Sequence, residues 1–181
     1  GRADFENERC DLVRLVDEVV GDFKPPHDRD APVVHSPLAP LPVEVDHQKM
    51  CQATLNVLSN AYKYSPQGGM VAVHFPTRTD AEGALWCGVQ VVDGGIGMLP
   101  EQLAHMGERF FRADKSGNIP GTGLGVSIVK ELMDLMGGTL EVDSSLGEGT
   151  TMTLCAYPRR IATSSGRSRS GGTPIRTTAM R

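Results

Sequence analysis

The 181 residues carry 22 acidic and 18 basic side chains, a net charge of −4, and 39% apolar residues, which fits one globular domain with loose ends rather than two domains. Six arginines (159, 160, 167, 169, 176 and 181) lie in a final stretch without Asp or Glu, so residues 1–158 hold 12 basic against 22 acidic groups, a net −10 that argues against a nucleic-acid-binding domain. The longest runs free of Asp, Glu, Lys and Arg have 14 residues, Tyr64 to Thr77 and Ser116 to Val129, and Gly and Pro break both, so no bilayer-spanning segment is expected.

The chain opens Gly1-Arg2-Ala3-Asp4-Phe5-Glu6, too charged for a secretory leader, and starting on Gly it reads as part of something larger. Leu12, Leu15, Val16, Val19 and Val20 recur at helical spacing from Asp11 to Val20, and Gly21 with Pro25-Pro26 closes that helix. Residues 25–42 are proline-rich, with short β-type pieces at Val33-Val34 and Val43-Glu44-Val45. Asp46 is an N-cap candidate for a second helix reaching Tyr64. After the turn Pro66-Gln67-Gly68-Gly69, strands are expected over Met70–Phe75 and Leu85–Val92. Asp93 to Thr122 is irregular apart from a short helix from Pro100 to Met106. A third main helix, Val126 to Met136, stops at Gly137-Gly138. Leu140–Val142 and Thr151–Ala156 then form a hairpin.

This order predicts an α/β class protein, a two-layer α/β sandwich with a mixed β-sheet packed against three main helices. Residues 1–158 form the domain and 159–181 a disordered, solvated Ser/Thr/Arg/Gly-rich tail, preferred over a tail that contacts membrane or nucleic acid. Cys10, Cys51, Cys87 and Cys155 share no metal-like spacing and read as free thiols in a reducing compartment, without a metal or disulfide framework.

Two glycine clusters carry chemistry: Asp93-Gly94-Gly95-Ile96-Gly97 and Gly121-Thr122-Gly123-Leu124-Gly125. Neither is a P-loop or a dinucleotide fingerprint, and either alone fits an ordinary loop. Asp93 ends an apolar strand, so its carboxylate sits at the rim of the core, either capping the turn or accepting a hydrogen bond from an exocyclic amine such as that of adenine. The second cluster leads into a helix, whose amides at Gly123, Leu124 and Gly125 and positive end can hold phosphate oxygens. Asn56, Asn60 and Lys63 share one face of the second helix. A solvated face explains that spacing equally well as amide oxygens for magnesium, a lysine for phosphate charge and Tyr64 packing on a base.

Together the residues resemble the boxes of sensor histidine kinases. Leu55 to Pro66 looks like the N box, Asp93 to Met98 the first glycine box, and Glu108-Arg109-Phe110-Phe111-Arg112 the phenylalanine box. Gly121 to Lys130 resembles the second glycine box and Gly147-Glu148-Gly149-Thr150-Thr151 the third. Five motifs in this order span residues 46–156. The resemblance implies the catalytic and ATP-binding domain of a two-component kinase, in the GHKL superfamily with its Bergerat fold. It implies ATP and Mg2+ as cofactors, with Asn60 on the metal and Asn56 and Lys63 near the phosphates. Tyr64 would lie by the adenine and Asp93 on its amine. Gly95, Ile96, Gly97, Met98 and Thr150 would shape the base pocket, and Gly121, Thr122, Gly123, Leu124 and Gly125 would hold phosphate. His105 to Thr122 would be a mobile lid, with Arg109 and Arg112 contacting phosphate or the partner domain, Arg112 taken with Asn60 and Lys63 as catalytic. Gly94 stands where the family usually has a polar residue, which loosens that turn.

The family's acceptor histidine lies on a dimerisation hairpin and is followed by an acidic residue and, four positions later, a proline. His27-Asp28-Arg29-Asp30-Ala31-Pro32 has only superficially similar spacing, and a position after Pro25-Pro26 argues against a helix there. The acceptor is therefore expected outside this chain. The implied partners are that hairpin and, through it, a response regulator. No nucleic acid is implied, and the piece is monomeric within a homodimeric parent. The location is cytoplasmic, with any membrane anchor outside this chain. Open beside phosphotransfer are a nucleotide-gated regulatory module or pseudokinase that binds ATP without transferring it and, less favoured, a gyrase- or chaperone-like ATPase. The last activates water with a carboxylate on the N-box helix, where this sequence has Gln52, Asn56 and Asn60.

Overall fold

The computed structural model describes residues 6–26, 28–79, 83, 85–109, 123–157 and 176–178. Helix α1 (Leu12–Asp22) starts where extended Asp11 turns its carboxylate onto the Val13 amide at 3.1 Å. The same oxygen accepts the Leu41 amide at 3.0 Å, tying the helix start to the later chain. Gly21 does not end α1. The helix continues to Asp22 and closes at Phe23, whose amide donates to the Val19 carbonyl at 3.0 Å. A single glycine costs a helix only about 1 kcal/mol, less than the burial of Leu12, Leu15, Val16 and Val19 contributes.

Helix α2 (His47–Lys63) is capped as its sequence predicts: Asp46 accepts the Lys49 amide at 3.0 Å and its ammonium at 2.9 Å. Burial alone would raise the Asp46 carboxyl, but hydrogen bonds from the Lys49 side chain, the Lys49 amide and the Glu6 amide outweigh it and hold the group low. Pro100–Ala104 forms the short α3 and Gly125–Leu135 forms α4. Gly137, at φ +71°, ends α4 by letting the Gly138 amide return to the Met133 carbonyl at 2.9 Å.

A two-stranded antiparallel sheet pairs β1 (Glu8–Asp11) with β3 (Pro42–Val45). The main sheet runs β2 (Val33–His35), β4 (Val71–His74), β6 (Leu85–Asp93), β8 (Gly149–Ala156), β7 (Thr139–Ser145), β9 (Arg176–Thr178), with β5 (Thr77–Thr79) also on β6. The β2–β4 and β7–β9 pairs are parallel and the others antiparallel, so the sheet is mixed.

Alternation assigns its faces. Val71, Val73, Cys87, Val89, Val91, Leu140, Val142, Met152 and Leu154 join Leu15, Met50, Val57, Leu58, Val129 and Met133 from the helices in one core. On the other face Gln90 donates to Thr153 Oγ1 at 3.2 Å, and Arg78 bonds Glu141 at 2.7 Å while lying 3.8 Å over the Trp86 ring. This is the predicted two-layer sandwich with three main helices on one side. Among the described residues no helix is long and apolar enough to cross a membrane.

Three strands depart from expectation. β1 adds a pairing to a polar Glu-Arg-Cys-Asp segment. The expected Met70–Phe75 strand is Val71–His74, with the pairing on β6 resuming as β5 after Pro76. The supposed tail contains β9, three residues laid along β7, so the expectation of disorder from 159 onward fails at 176–178. Residues 158–175 and 179–181 lie outside the described residues.

Candidate functional site

Strand period places Val89, Val91 and Asp93 on the helix-facing side of β6, and the strand ends at Asp93. Its carboxylate therefore lies where the core opens, only 8% exposed and in register with Thr150 of β8, which pairs in turn with Ser144 of β7. The Gly95 amide donates to Asp93 Oδ1 at 2.9 Å. Burial pushes the Asp93 carboxyl above its ordinary range, and hydrogen bonds from the Gly95 and Thr150 amides and the Ser65 hydroxyl pull it back only in part. Ser65 shares its single proton with the Ala61 carbonyl, 2.7 Å away.

Close backbone approach explains the glycines around this carboxylate. A Cβ on Gly95 would collide with the Tyr64 carbonyl, which accepts the Ile96 amide at 3.0 Å. Gly97, at φ +60°, lies under the Ser145 carbonyl, and Gly149, at φ +106°, lies against the Asp93 carbonyl. The Gly147 amide donates to Ile96 O at 2.8 Å, and Ser144 donates to Gly149 O at 2.9 Å while contacting Thr150 Oγ1 at 2.9 Å. Gly94 differs: an added Cβ meets open space, so a side chain fits there.

Above this floor a cleft enclosing about 580 Å3, counting its open mouth, is walled by Val57 and Ala61 of α2, Tyr64 at its C-cap, Val91, Met152, and the loop residues Ile96, Met98 and Met106. Apolar walls with one buried carboxylate suit a flat heterocycle bearing an amine. At one end Asn60 lines the cleft, and α4 begins against it: a Cβ on Gly125 would lie 3.5 Å from Asn60 Nδ2, 3.6 Å from its Oδ1 and 3.9 Å from Asn56 Oδ1. Asn56 Nδ2 donates to Gln52 O at 3.0 Å, which leaves its Oδ1 on the side nearer α4. Leu124 gives α4 no side-chain cap. The positive helix end beside two amide oxygens matches the needs of phosphate and of a hard, oxygen-seeking cation such as Mg2+.

Asn60, Tyr64, Asp93, Ile96, Gly97, Met98 and Thr150 thus meet in one cleft, with Gly95 beneath and Asn56, Gly123, Leu124 and Gly125 at its polar end. Lys63 is not drawn into the cleft: its ammonium rests 4.9 Å from the Tyr64 ring centroid at the rim. Arg109 pairs with Glu131 at 3.3 Å on the surface. Arg112, Gly121, Thr122 and most of the expected lid lie outside the described residues. Val57, Ala61, Ser65, Val91, Met106, Ser144 and Met152 also build the site but were not singled out. Period-two counting back from Asp93 and on from Thr150 points to Val91 and Met152, whereas nothing local marks Ser144.

The segment around His27 is no helix. Arg29 donates to Ser65 O at 2.8 Å and Gly69 O at 2.9 Å and lies 5.0 Å over the Tyr62 ring, while Tyr62 donates to Asp30 O at 2.8 Å. The segment clamps the end of α2; His27 itself lies outside the described residues.

Residues 45–160 match the family described as histidine kinase-, DNA gyrase B-, and HSP90-like ATPase. The chain is 34% identical over 153 residues to sensor histidine kinase WalK of Bacillus subtilis (strain 168), covering 83% of this chain and 24% of that protein. It is similar in structure to a mycobacterial sensor histidine kinase MprB, at TM-score 0.67 and 30% identity over 86% of this chain and 99% of that one. Full-length ShkA in complex with AMPPNP matches at TM-score 0.68 and 27% identity, over 90% of this chain and 33% of that one. The chain thus spans about a quarter of WalK.

Proposed function

Since this chain belongs to the family of histidine kinase-, DNA gyrase B-, and HSP90-like ATPases, as the ATP-binding catalytic domain of a sensor histidine kinase, we propose that it presents Mg-ATP for transfer of the γ-phosphoryl group to a histidine imidazole on a dimerisation hairpin. That hairpin would hand the group on to a response regulator. The observation that carries the reading is the pairing, in one cleft, of the buried Asp93 carboxylate with the Asn60 amide, which lies with Asn56 beside the start of α4.

Asp93 accepts the adenine amine, and the Gly95 and Thr150 amides fix its orientation. Guanine would set its carbonyl oxygen against this acceptor, leaving both unpaired and costing about 1–3 kcal/mol. Val57, Ala61, Val91 and Met152 exclude water around the base, and Ile96 and Met98 close its other side. Asn60 Oδ1 with Asn56 alongside would hold Mg2+, which when bound neutralises phosphate charge. The amides of Gly123, Leu124 and Gly125 at the start of α4 orient the phosphate chain. Lys63 supplies a further positive charge at the rim, and Arg112 belongs to the lid that would cover the phosphates.

α2 has no Asp or Glu along its length, so that helix offers no carboxylate to activate water. This supports transfer to an acceptor over hydrolysis. The parent would act as a homodimer on the cytoplasmic side of a membrane, without nucleic acid as partner.

Two measurements test the proposal. Calorimetric titration should show Mg-ATP binding with GTP at least ten-fold weaker. Radiolabelled ATP with a separately supplied, histidine-bearing hairpin should label the hairpin. ATP binding without labelling would leave the nucleotide-gated module standing, and absence of ATP binding by folded protein would overturn both.

A further inference from the structure

At the opposite end of α2 from the cleft, three elements gather side chains that ligate metals. β1 contributes Glu8 and Cys10, α1 contributes Glu18, and α2 contributes His47 and Cys51. His47 and Cys51 are four residues apart, so both project from one side of the first helical turns. Glu18 faces them, with Oε2 3.1 Å from His47 Nε2. The ligand atoms of Glu18, His47 and Cys51 lie within 4.8 Å of one another, and those of Glu8, Cys10 and His47 do likewise. Around tetrahedral zinc, bonds of about 2.0–2.3 Å place neighbouring ligand atoms roughly 3.3–3.8 Å apart. Within each group the atoms need draw together by only about 1 Å to meet that spacing.

We propose that Glu18, His47 and Cys51, with Cys10 as fourth ligand, form a binding site for a thiophilic divalent cation, Zn2+ by the nature of its donors. Thiolate and imidazole donors disfavour Mg2+ and Ca2+, which take oxygen. A neutral ring offers one lone pair, so His47 makes the two groups one site rather than two. The cysteine spacing that gives no metal framework in the sequence misses it, because the pattern is a His-x3-Cys pair on one helix completed from β1 and α1.

Cysteine ligates as the thiolate, so binding of the cation releases the thiol proton to solvent. Cys10, His47 and Cys51 are half-buried and Glu18 is exposed, which leaves an entry path. The site stands about 20 Å along α2 from Asn60, at about 1.5 Å per residue. It ties β1, α1 and α2 together and does not depend on the phosphotransfer reading.

The test is a Co2+ titration of the whole chain kept reduced, followed by absorption. One equivalent should give a thiolate-to-cobalt band in the near ultraviolet and intense visible ligand-field bands, bleached by one equivalent of Zn2+. Cys51→Ser should lose at least half the thiolate band, Cys10→Ser about half, and His47→Gln should weaken binding at least ten-fold. Far-UV circular dichroism and ATP affinity should stay unchanged in all three. A folded wild type without these bands, or an unchanged spectrum in Cys51→Ser, overturns the site.

Discussion

The two sides of the cleft are built differently. On the base side, Asp93, Gly95, Gly97, Ser144, Gly149 and Thr150 are fixed by short backbone contacts from three strands and a loop, and three of the glycines have no room for a Cβ. On the phosphate side, Asn56 donates within its own helix, Gly125 leaves ordinary van der Waals space, and Lys63 lies on Tyr64 at the rim. On the proposed reading the base would meet a preformed socket, while the polar groups stand near their task and are left to adjust. Recognition of a rigid ring tolerates no reorganisation, whereas a phosphate chain that must move during transfer needs partners able to follow it.

The largest effect should come from the socket's backbone. Gly97→Ala combines a positive φ with collision against the Ser145 carbonyl, so stability should fall by about 3 kcal/mol or more. Gly147→Ala, also at positive φ but in open space, should cost only about 1–2 kcal/mol. Urea unfolding of the pair measures the difference, and equal losses would show that the socket is less constrained than its contacts imply.

Asp93→Asn should separate binding from folding. ATP affinity should drop by about 10- to 100-fold, the loss of a hydrogen bond to a charged acceptor. Stability behaves oppositely. A carboxyl whose folded pKa is raised gives its full contribution below its unfolded value near 3.8, and loses it as pH rises through the folded value. At neutral pH ionised Asp93 is thus a burden, and Asn should leave the thermal midpoint unchanged or higher. For the same reason ATP binding to wild type should weaken as pH falls through that raised value, a slope absent in the variant. Titrations across acidic pH read both.

What was legible follows the same division. α1, α2, α4 and the β7–β8 hairpin were readable because their apolar residues keep a period, and Asp93 because a strand ends on it. β1, β5 and β9 were not: Glu-Arg-Cys-Asp, Thr-Arg-Thr and Arg-Thr-Thr show no alternation and form by pairing with β3, β6 and β7. The His47–Cys51 cluster depends on partners distant in the chain, which no local window contains. The socket's glycines were visible as a cluster, but which ones lack space depends on carbonyls at 64, 145 and 93.

On the phosphate side the expected losses are smaller. Asn60→Ala should lower ATP affinity about ten-fold with magnesium and hardly at all in EDTA, because its amide oxygen would act through the cation.

Lys63→Ala should do least. Its ammonium sits at a half-exposed rim over Tyr64, where a charge interaction is worth about 0.2–1 kcal/mol and is screened by salt. ATP affinity should therefore fall no more than about five-fold at low ionic strength, and the difference from wild type should vanish in strong salt. A larger loss that persists in salt would mean that Lys63 leaves Tyr64 and buries against phosphate when nucleotide binds. The phosphate side would then be as firmly organised in the complex as the base side, and the contrast between the two would not survive nucleotide binding.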